Sequence, residues 1–166
     1  VSIYTRNDAD GTLILTGTVS ARLNPSGMVI VGGSRAVEYV PKFAYTTSLT
    51  ESIITTSTIN QSTGALAAIF GFQFTTGHYP LSITADSLGR FIYVTNAGDD
   101  NISAYRINQS TGALTDRTDI DANTEPKSVT VDPSGRFVYA DNYNAETLSA
   151  YSINQTTGAL TEISGS

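Results

Sequence analysis

Cysteine is absent from the 166-residue sequence, histidine occurs once, and only 14% of the residues are charged. Without cysteine the chain has no thiol nucleophile, disulfide, cysteine-ligated zinc site or iron–sulfur cluster. A large β core needs no disulfide, so this absence does not decide the redox compartment. Several kinds of catalytic and metal chemistry are therefore excluded before any motif is considered.

Positive charge is also scarce, with 9 Lys and Arg against 15 Asp and Glu and a formal net charge of −6. Such a chain repels phosphate backbones, and no basic stripe is interleaved with aromatic residues, so we expect no nucleic-acid partner. No apolar run approaches the ~18 residues that a membrane span needs. The sequence opens at Val1 without methionine or a signal-peptide pattern, which favours a mature segment or an excised piece.

Threonine, serine, glycine and asparagine are abundant, and the aromatic residues are tyrosine and phenylalanine. This composition is typical of half-buried strands joined by tight turns. We expect an all-β chain without helix, located outside the cytoplasm as a secreted, periplasmic or cell-surface protein.

One phrase recurs with a period of 46 to 48 residues, as INQSTGAL at 59–66, INQSTGAL at 107–114 and INQTTGAL at 153–160. A Phe-x-Tyr motif, which begins at Phe43, Phe91 and Phe137, recurs with the same spacing. Periods of this length with several short strands per unit are the signature of β-propeller blades, which bury their faces against neighbouring blades.

Superposing the repeats predicts four strands, A to D, in each unit. The unit at 81–117 divides into SITAD, FIYVTN, ISAYRIN and GALTDRT, and the unit at 127–166 divides in the same way. In the unit at 36–69, strand A is predicted at 36–40 (AVEYV). Residues 1–13 align with 102–114 as strands C and D, which makes 1–35 a partial first blade and connector.

This plan gives fourteen strands, or three and a half blades, which cannot close a ring. Open strand edges and blade faces promote aggregation, so something must cover them. The partners are either the remaining blades of a longer propeller or identical copies that form a homo-oligomer or filament. If two copies simply paired, no A and B strands would be left to complete the first half-blade. Residues 14–35 are the candidates for these missing strands.

The pieces DPSGRFVY, YVTN, ISAYxIN and STGAL resemble the YVTN-repeat and lactonase-like seven-bladed propellers, a group with 6-phosphogluconolactonase and carboxymuconate-lactonizing members. The resemblance covers residues 36–166 well and 1–13 moderately, and it implies the fold more specifically than an activity. It also implies a ligand site over the channel, on the rim that carries the D–A and B–C loops. The His, Arg and Glu residues attributed to lactonizing relatives match no positions here one for one.

Several repeated residues have structural roles. The glycines of the C–D turns suit a positive φ, and Asp86 and Asp132 can pair with Arg90 and Arg136 or accept nearby amides across the A–B turns. The asparagines of four N-x-S/T sequons are glycosylation candidates on exposed loops, although turn formation explains three of them. These asparagines are Asn60, Asn101, Asn108 and Asn154.

His78 is the only histidine and precedes an inner strand near the expected channel mouth. It is the candidate general base, with Glu125 of the equivalent loop as its catalytic companion. Four further residues are candidates for a ligand-binding rim: Tyr79, Asn96, Asn142 and Tyr143.

A calcium site is the other candidate on this rim. Four oxygen-bearing side chains alternate in one loop: Asp119, Asp121, Asn123 and Glu125. Alternate oxygen ligands suit a hard cation such as Ca²⁺, but the turn-forming glycine of well-formed calcium loops is missing. No other cofactor is expected.

Two functions remain open. The first is a non-catalytic extracytoplasmic propeller that serves as a binding, structural or self-assembling module. The second is part of a lactonase-like hydrolase that acts on a sugar or organic-acid lactone at the channel. Motifs for nucleophile elbows, zinc proteases and nucleotide binding are all absent, which favours the first.

Overall fold

The computed structural model describes residues 41–164 in full and, for residues 2–6, 13–18 and 25–32, the course of the backbone. These residues form fourteen strands and no helix. The strands are β1 (Ser2–Arg6), β2 (Leu13–Thr18), β3 (Pro25–Gly32), β4 (Pro41–Ser48), β5 (Ile53–Ile59), β6 (Leu66–Thr75), β7 (Pro80–Ala85), β8 (Phe91–Asn96), β9 (Asn101–Ile107), β10 (Leu114–Asp121), β11 (Pro126–Val131), β12 (Phe137–Asn142), β13 (Thr147–Ile153) and β14 (Leu160–Glu162).

Three four-stranded antiparallel sheets follow one another along the chain. We name them blade 1 (β3–β6), blade 2 (β7–β10) and blade 3 (β11–β14); β1 and β2 pair separately as a hairpin. The first strands β3, β7 and β11 are neighbours, as inner strands of successive propeller blades must be. The predicted all-β fold, a partial propeller, is confirmed. The described part of the chain holds no helix with the length and apolar character that a bilayer crossing requires.

The first strand of blade 1 differs from the prediction. Strand β3, residues 25–32, pairs with β4, whereas the sequence predicted strand A at 36–40. A strand that ended at residue 40 would leave no residues for a reversal before β4 begins at Pro41. The β-branched run at 29–31 also suits a buried inner strand. Residues 36–40 themselves lie outside the described residues.

The outer strands run further than predicted. Strand β6 extends to Thr75 and β10 to Asp121, because their last residues keep pairing with β5 and β9. Each strand accommodates its length with a register shift. Asp119 and Asp121 are consequently part of a strand and not of a D–A loop.

Apolar side chains fill the two spaces between blades. Phe43, Tyr45 and Ile92 belong to the cluster between blades 1 and 2. Tyr93 and Val138 belong to the cluster between blades 2 and 3. Burial raises the pKa of the Tyr45 and Tyr93 hydroxyls because an ionised phenol would lose its hydration there. The core of this protein therefore lies between sheets, so each blade depends on its neighbour.

The A–B turns confirm their predicted structural role. Asp86 Oδ1 accepts the amide of Phe91 at 3.0 Å, and its Oδ2 accepts Arg90 Nε at 2.8 Å. Asp132 accepts the amides of Arg136 and Phe137, both at 2.8 Å, together with the Ser134 hydroxyl. The Ser134 hydroxyl, followed by these amides, lowers the pKa of Asp132 to about 2.

A glycine in the C–D turns of blades 2 and 3, Gly112 and Gly158, makes the contact with the preceding blade. Gly158 has φ +83, and a Cβ at this position would lie 2.4 Å from the ring of Phe91 in blade 2. The Tyr93 hydroxyl donates to the Gly158 carbonyl oxygen at 3.0 Å. Only a residue without a side chain lets the turn sit on the phenylalanine ring and reach the tyrosine.

We predict that Gly158→Ala lowers the free energy of unfolding by about 2–4 kcal/mol, since it combines a left-handed backbone with overpacking against Phe91. Gly71→Ala is the matched control, because Gly71 has φ +82 and nothing within 4 Å of its Cβ position. Gly71→Ala should lower the free energy of unfolding by about 1 kcal/mol, from backbone strain alone. Urea unfolding of both variants measures the difference, and equal losses would show that the contact with Phe91 contributes nothing.

Candidate functional site

The D–A and B–C loops form one rim and are tied together by backbone hydrogen bonds. The Ala122 amide, at the end of blade 2, donates to the carbonyl oxygen of Asp100 at 2.8 Å. The Ala97 amide donates to the carbonyl oxygen of Tyr79 at 3.0 Å. Each described D–A loop is thereby bonded to B–C loops of the blade it leaves and the blade it enters. This cross-bonding makes the rim a defined platform for side chains.

On this platform His78 pairs with Asp99. The His78 Nδ1 atom lies 2.8 Å from Asp99 Oδ1, and the His78 backbone amide donates to Asp99 Oδ2 at 2.8 Å. The imidazole is open to solvent, with 76% of its side chain exposed, while the Asp99 side chain is 32% exposed. Asp99 thus holds both the backbone and the ring of His78 in one orientation, with Nε2 as the ring nitrogen not bonded to Asp99.

Two glycines make room for this pair. A Cβ on Gly77 would lie 2.6 Å from Asp99 Oδ2 and 2.8 Å from the Asn96 side chain. The Gly77 amide instead donates to Asn96 Oδ1 at 3.1 Å. A Cβ on Gly98 would lie 2.5 Å from the Tyr79 ring and 3.0 Å from His78 Cβ. The loop before β7 can therefore settle directly on the B–C loop of blade 2.

Blade 3 lacks this arrangement at the equivalent positions. Asn123 stands where Gly77 would be, and its side chain donates towards Ser149 Oγ at 3.4 Å. The buried Asn142 Oδ1 has no hydrogen-bond partner, whereas Asn96 Oδ1 receives the Gly77 amide. Thr124 and Ala145 replace the histidine and aspartate. The histidine–aspartate pair is therefore a departure from the repeat and not a product of it.

The backbone strain on this rim belongs to the repeat. Tyr79 and Glu125 occupy equivalent positions and have φ of 51° and 58°. Asp100 and Glu146, also equivalent, have φ of 52° and 51°. Because the left-handed conformation recurs in both blades, it shapes the loops generally and does not mark the histidine as special.

Hydrogen bonds keep Asp99 ionised. The His78 backbone amide, then its side chain, lowers the pKa of the Asp99 carboxyl below its ordinary value. The positive charge of Arg117 acts in the same direction, more weakly. A carboxylate that stays negative is the partner needed to orient an imidazole.

The predicted companion Glu125 has a different partner. Its Oε1 lies 3.5 Å from Lys127 Nζ, which in turn sits 3.2 Å from the centre of the Tyr143 ring. The Glu125 backbone amide donates to Asp100 Oδ1 at 2.7 Å. His78 is therefore paired with Asp99, and Glu125 contributes to a separate lysine–tyrosine contact on the same rim.

The four residues predicted to bind a ligand divide into two groups. Tyr79 and Tyr143 are 60% and 59% exposed and lie on the rim. Asn96 and Asn142 are instead completely buried. Their side-chain amides donate to Ser103 and Ser149, both at 2.8 Å, so they join strands B and C below the surface.

The residues predicted to bind calcium do not form a cluster. No group of three or more His, Asp or Glu side chains within the described residues is arranged for a metal ion. Asp119 Oδ1 already accepts Ser103 Oγ at 2.6 Å and Arg117 Nε at 2.9 Å. Asp121 is held in strand β10, opposite Asn101. Asn123 and Glu125, the other two, have the partners given above.

Three sequon asparagines have the predicted turn role. The Oδ1 atoms of Asn60, Asn108 and Asn154 each accept the amides two and three residues ahead, at 2.9–3.2 Å. Asn101 Oδ1 accepts the Asn96 side chain at 2.7 Å. The first three are exposed, so their glycosylation stays a prediction.

The sequence reasoning missed Asp99 as the partner of His78, and Gly77 as the residue that permits the pair. Asp99 was only one of several acidic loop residues. A difference between the aligned repeats could have identified both residues. Glycine, histidine and aspartate at 77, 78 and 99 are replaced in the next unit by Asn123, Thr124 and Ala145.

We predict that the Asp99 carboxyl titrates below its ordinary value of 3.8. The pair then stabilises the folded loop above about pH 4 and loses this effect as the pH falls through the folded pKa. His78→Ala should raise the midpoint of the Asp99 titration only part of the way towards the ordinary value, because the backbone amide of residue 78 still donates to the carboxylate. Carboxyl ¹³C shifts measured by NMR against pH test this, and a wild-type midpoint at or above 3.8 would contradict it.

Comparison with known proteins agrees with this fold. The chain resembles a protein from Lactobacillus plantarum (23% identity, TM-score 0.78, 98% of this chain and 47% of that one). It also resembles a protein of Bacteroides fragilis provisionally named a 6-phosphogluconolactonase (16%, TM-score 0.77, 97% and 46%). A periplasmic gluconolactonase of Pseudomonas aeruginosa is a third similar structure (19%, TM-score 0.64, 93% and 42%).

These identities establish the fold alone, and the chain spans less than half the length of each of the three structures. A search of curated proteins gives no match. The family profile described as "Lactonase, 7-bladed beta-propeller" matches residues 1–166. The chain therefore belongs to the seven-bladed lactonase family of β-propellers.

Proposed function

We propose that this chain is part of a lactonase-type hydrolase, in which His78 and Asp99 activate water. The observation that carries the proposal is the oriented pair, with Nδ1 of His78 2.8 Å from Asp99 and the ring exposed on the rim. A histidine that is oriented by a carboxylate is a common general base. The family assignment supplies the matching class of substrate, a cyclic ester.

The chemistry requires one proton acceptor. The Asp99 carboxylate accepts a hydrogen bond from Nδ1–H of His78, so Nε2 carries the lone pair that takes a proton from water. The hydroxide formed in this step adds to the lactone carbonyl carbon, and the carbon–oxygen bond of the ring then breaks. His78 returns the proton to the departing ring oxygen. The product is an open-chain hydroxy acid, and the balance is one water consumed.

The surrounding charge favours an uncharged lactone. Arg117 and Lys127 are ion-paired with Asp119 and Glu125. The chain as a whole carries a formal charge of −6. A phosphorylated substrate would meet few free cations on this rim. The exposed ring of Tyr79, which lies over Gly98 beside His78, offers a flat apolar surface to a sugar-like ring.

A non-catalytic structural module is the second candidate. The observation that favours a non-catalytic binding role is the exposure of the Tyr79 and Tyr143 side chains on the rim, 60% and 59%. An extracytoplasmic location, which the composition first indicated, belongs to both proposals. The exposed sequon asparagines are compatible with it.

We predict that His78→Gln and Asp99→Asn each lower the hydrolysis of an uncharged six-carbon aldonolactone by about 10²–10⁴-fold, the usual contribution of a general base. Acid release measured above the spontaneous rate provides the readout. Glu125→Gln is the matched control in the equivalent loop of the next blade and should change the rate less than twofold.

Two results would argue against the pair. If Glu125→Gln abolishes turnover while Asp99→Asn does not, the catalytic companion is Glu125, as the sequence alone suggested. If the wild-type chain shows no rate above background, the 166 residues do not form a working site on their own, and the rim serves binding in this form of the protein.

A further inference from the structure

A chain of hydrogen bonds leads from the loop that carries His78 across the width of blade 2. The Gly77 amide donates to Asn96 Oδ1 at 3.1 Å, and Asn96 Nδ2 donates to Ser103 Oγ at 2.8 Å. The Ser103 hydroxyl donates in turn to Asp119 Oδ1 at 2.6 Å. Strands β8, β9 and β10 contribute one side chain each, so the outermost strand of the blade is connected to the rim.

Asp119 gives this chain of hydrogen bonds its direction. Asn96 and Ser103 are completely buried, so neither side chain can exchange its partner for bulk water. A carboxylate only accepts hydrogen bonds, so the Ser103 proton points at Asp119. Ser103 Oγ then accepts from Asn96 Nδ2, which leaves Asn96 Oδ1 for the Gly77 amide. Asn101 Oδ1 takes the other Nδ2 proton at 2.7 Å, but a carboxamide can present either end and does not fix the direction.

The same carboxylate reaches the His78 loop by a second route. Arg117 Nε donates to Asp119 Oδ1 at 2.9 Å, and Arg117 Nη1 donates to the Thr75 carbonyl oxygen at 3.2 Å. The Tyr105 hydroxyl donates to that carbonyl oxygen as well, at 2.7 Å. Thr75 is the last residue of β6 and precedes His78 by three positions. Both routes therefore hold the short segment that leads into the histidine.

These two charged residues depart from the repeat, as the histidine–aspartate pair does. Aligning INQSTGAL at 107–114 with INQTTGAL at 153–160 places Ile163 and Gly165 at the positions of Arg117 and Asp119. In that unit Asn142 Oδ1 finds no hydrogen-bond partner among the described residues. The carboxylate on the outer strand and the pair on the rim thus occur together in blade 2.

We propose that Asp119 positions the His78–Asp99 pair through these hydrogen bonds. With the Gly77 amide held in place, the backbone amide and the ring of His78 both reach Asp99. Asp119 bonds to the buried serine and to Arg117, so it acts on the pair indirectly and is a positioning residue. Its effect on turnover rests on the proposed hydrolase, whereas its effect on the imidazole does not.

The tautomer of His78 tests this positioning without any substrate. The hydrogen bond from Nδ1 to Asp99 keeps the proton on Nδ1, and imidazole ¹⁵N shifts measured by NMR show which ring nitrogen carries it. The measurement is made at about pH 8.5, where the ring is neutral. Asp119→Leu removes the acceptor and should lower the Nδ1–H fraction about twofold or more, because the loop is then free to leave Asp99.

Three further variants separate the route from a general effect of charge. Ser103→Ala interrupts the chain at its centre and should change the tautomer as much as Asp119→Leu, with no further change when both are combined. Asp119→Asn keeps an oxygen acceptor and should retain the wild-type tautomer. Asp116→Asn is the matched control, because it removes a negative charge from the same strand at a side chain that bonds only to Thr115.

Turnover provides the second readout. If the chain hydrolyses the uncharged aldonolactone, Asp119→Leu should lower kcat by about 10–10²-fold, since the base is misplaced. The KM should change less than about twofold, because Asp119 does not contact the substrate. Circular dichroism melts show whether each variant folds, and if Asp119→Leu does not, Ser103→Ala carries the test.

The results that would overturn the positioning role are distinct from those that would overturn the hydrolase. An unchanged tautomer in folded Asp119→Leu or Ser103→Ala refutes the positioning role, even where the wild type is active. Additive effects of these two substitutions refute the route through Ser103. A tautomer that shifts as expected in a chain without turnover supports the positioning role and counts against the hydrolase. A wild-type His78 protonated on Nε2 contradicts both.

Discussion

The hydrogen bond from a tyrosine hydroxyl in strand B to a glycine carbonyl in the next blade is the contact on which the architecture depends. It lies between successive sheets, whose apolar faces are buried only against each other. The same few residues therefore join the blades and exclude water from the core. A buried hydroxyl needs a partner, and a bare glycine turn offers one without steric conflict. The repeat keeps phenylalanine, tyrosine and glycine in step because none of them works without the others.

The rim shows how one unit of a repeat comes to hold a histidine–aspartate pair. Its loops share one backbone conformation and one set of cross-bonds, which by themselves give no chemistry. Glycine at 77 lets the loop lie directly on Asn96 and Asp99, and with histidine at 78 and aspartate at 99 the imidazole meets a carboxylate. In blade 3 an asparagine at the same place leaves Asn142 Oδ1 without a partner. The histidine–aspartate pair lies where one unit departs from the shared pattern.

Periodicity alone was enough to predict most of the fold. The fourteen strands, the four-stranded units and the asparagine turns follow from residues whose spacing reports local geometry. Strand β3 was misplaced because blade 1 lacks the usual D-x-x-G-R turn, so nothing local marked where its first strand ends. The lengths of β6 and β10 depend on pairing with β5 and β9, which a window of sequence does not contain.

The site was less predictable than the fold, for a physical reason. Sequence singled out His78 and the rim that carries it, because a lone histidine and the loop order are visible in the text. It did not name Asp99 as the neighbour of His78, because that contact joins a D–A loop to a B–C loop, and it placed Asn96 on the rim, because the burial of Asn96 depends on strands B and C. Local spacing determined the blades. Tertiary structure decided which side chains meet, because those contacts join loops from separate strands and depend on the absence of a single Cβ.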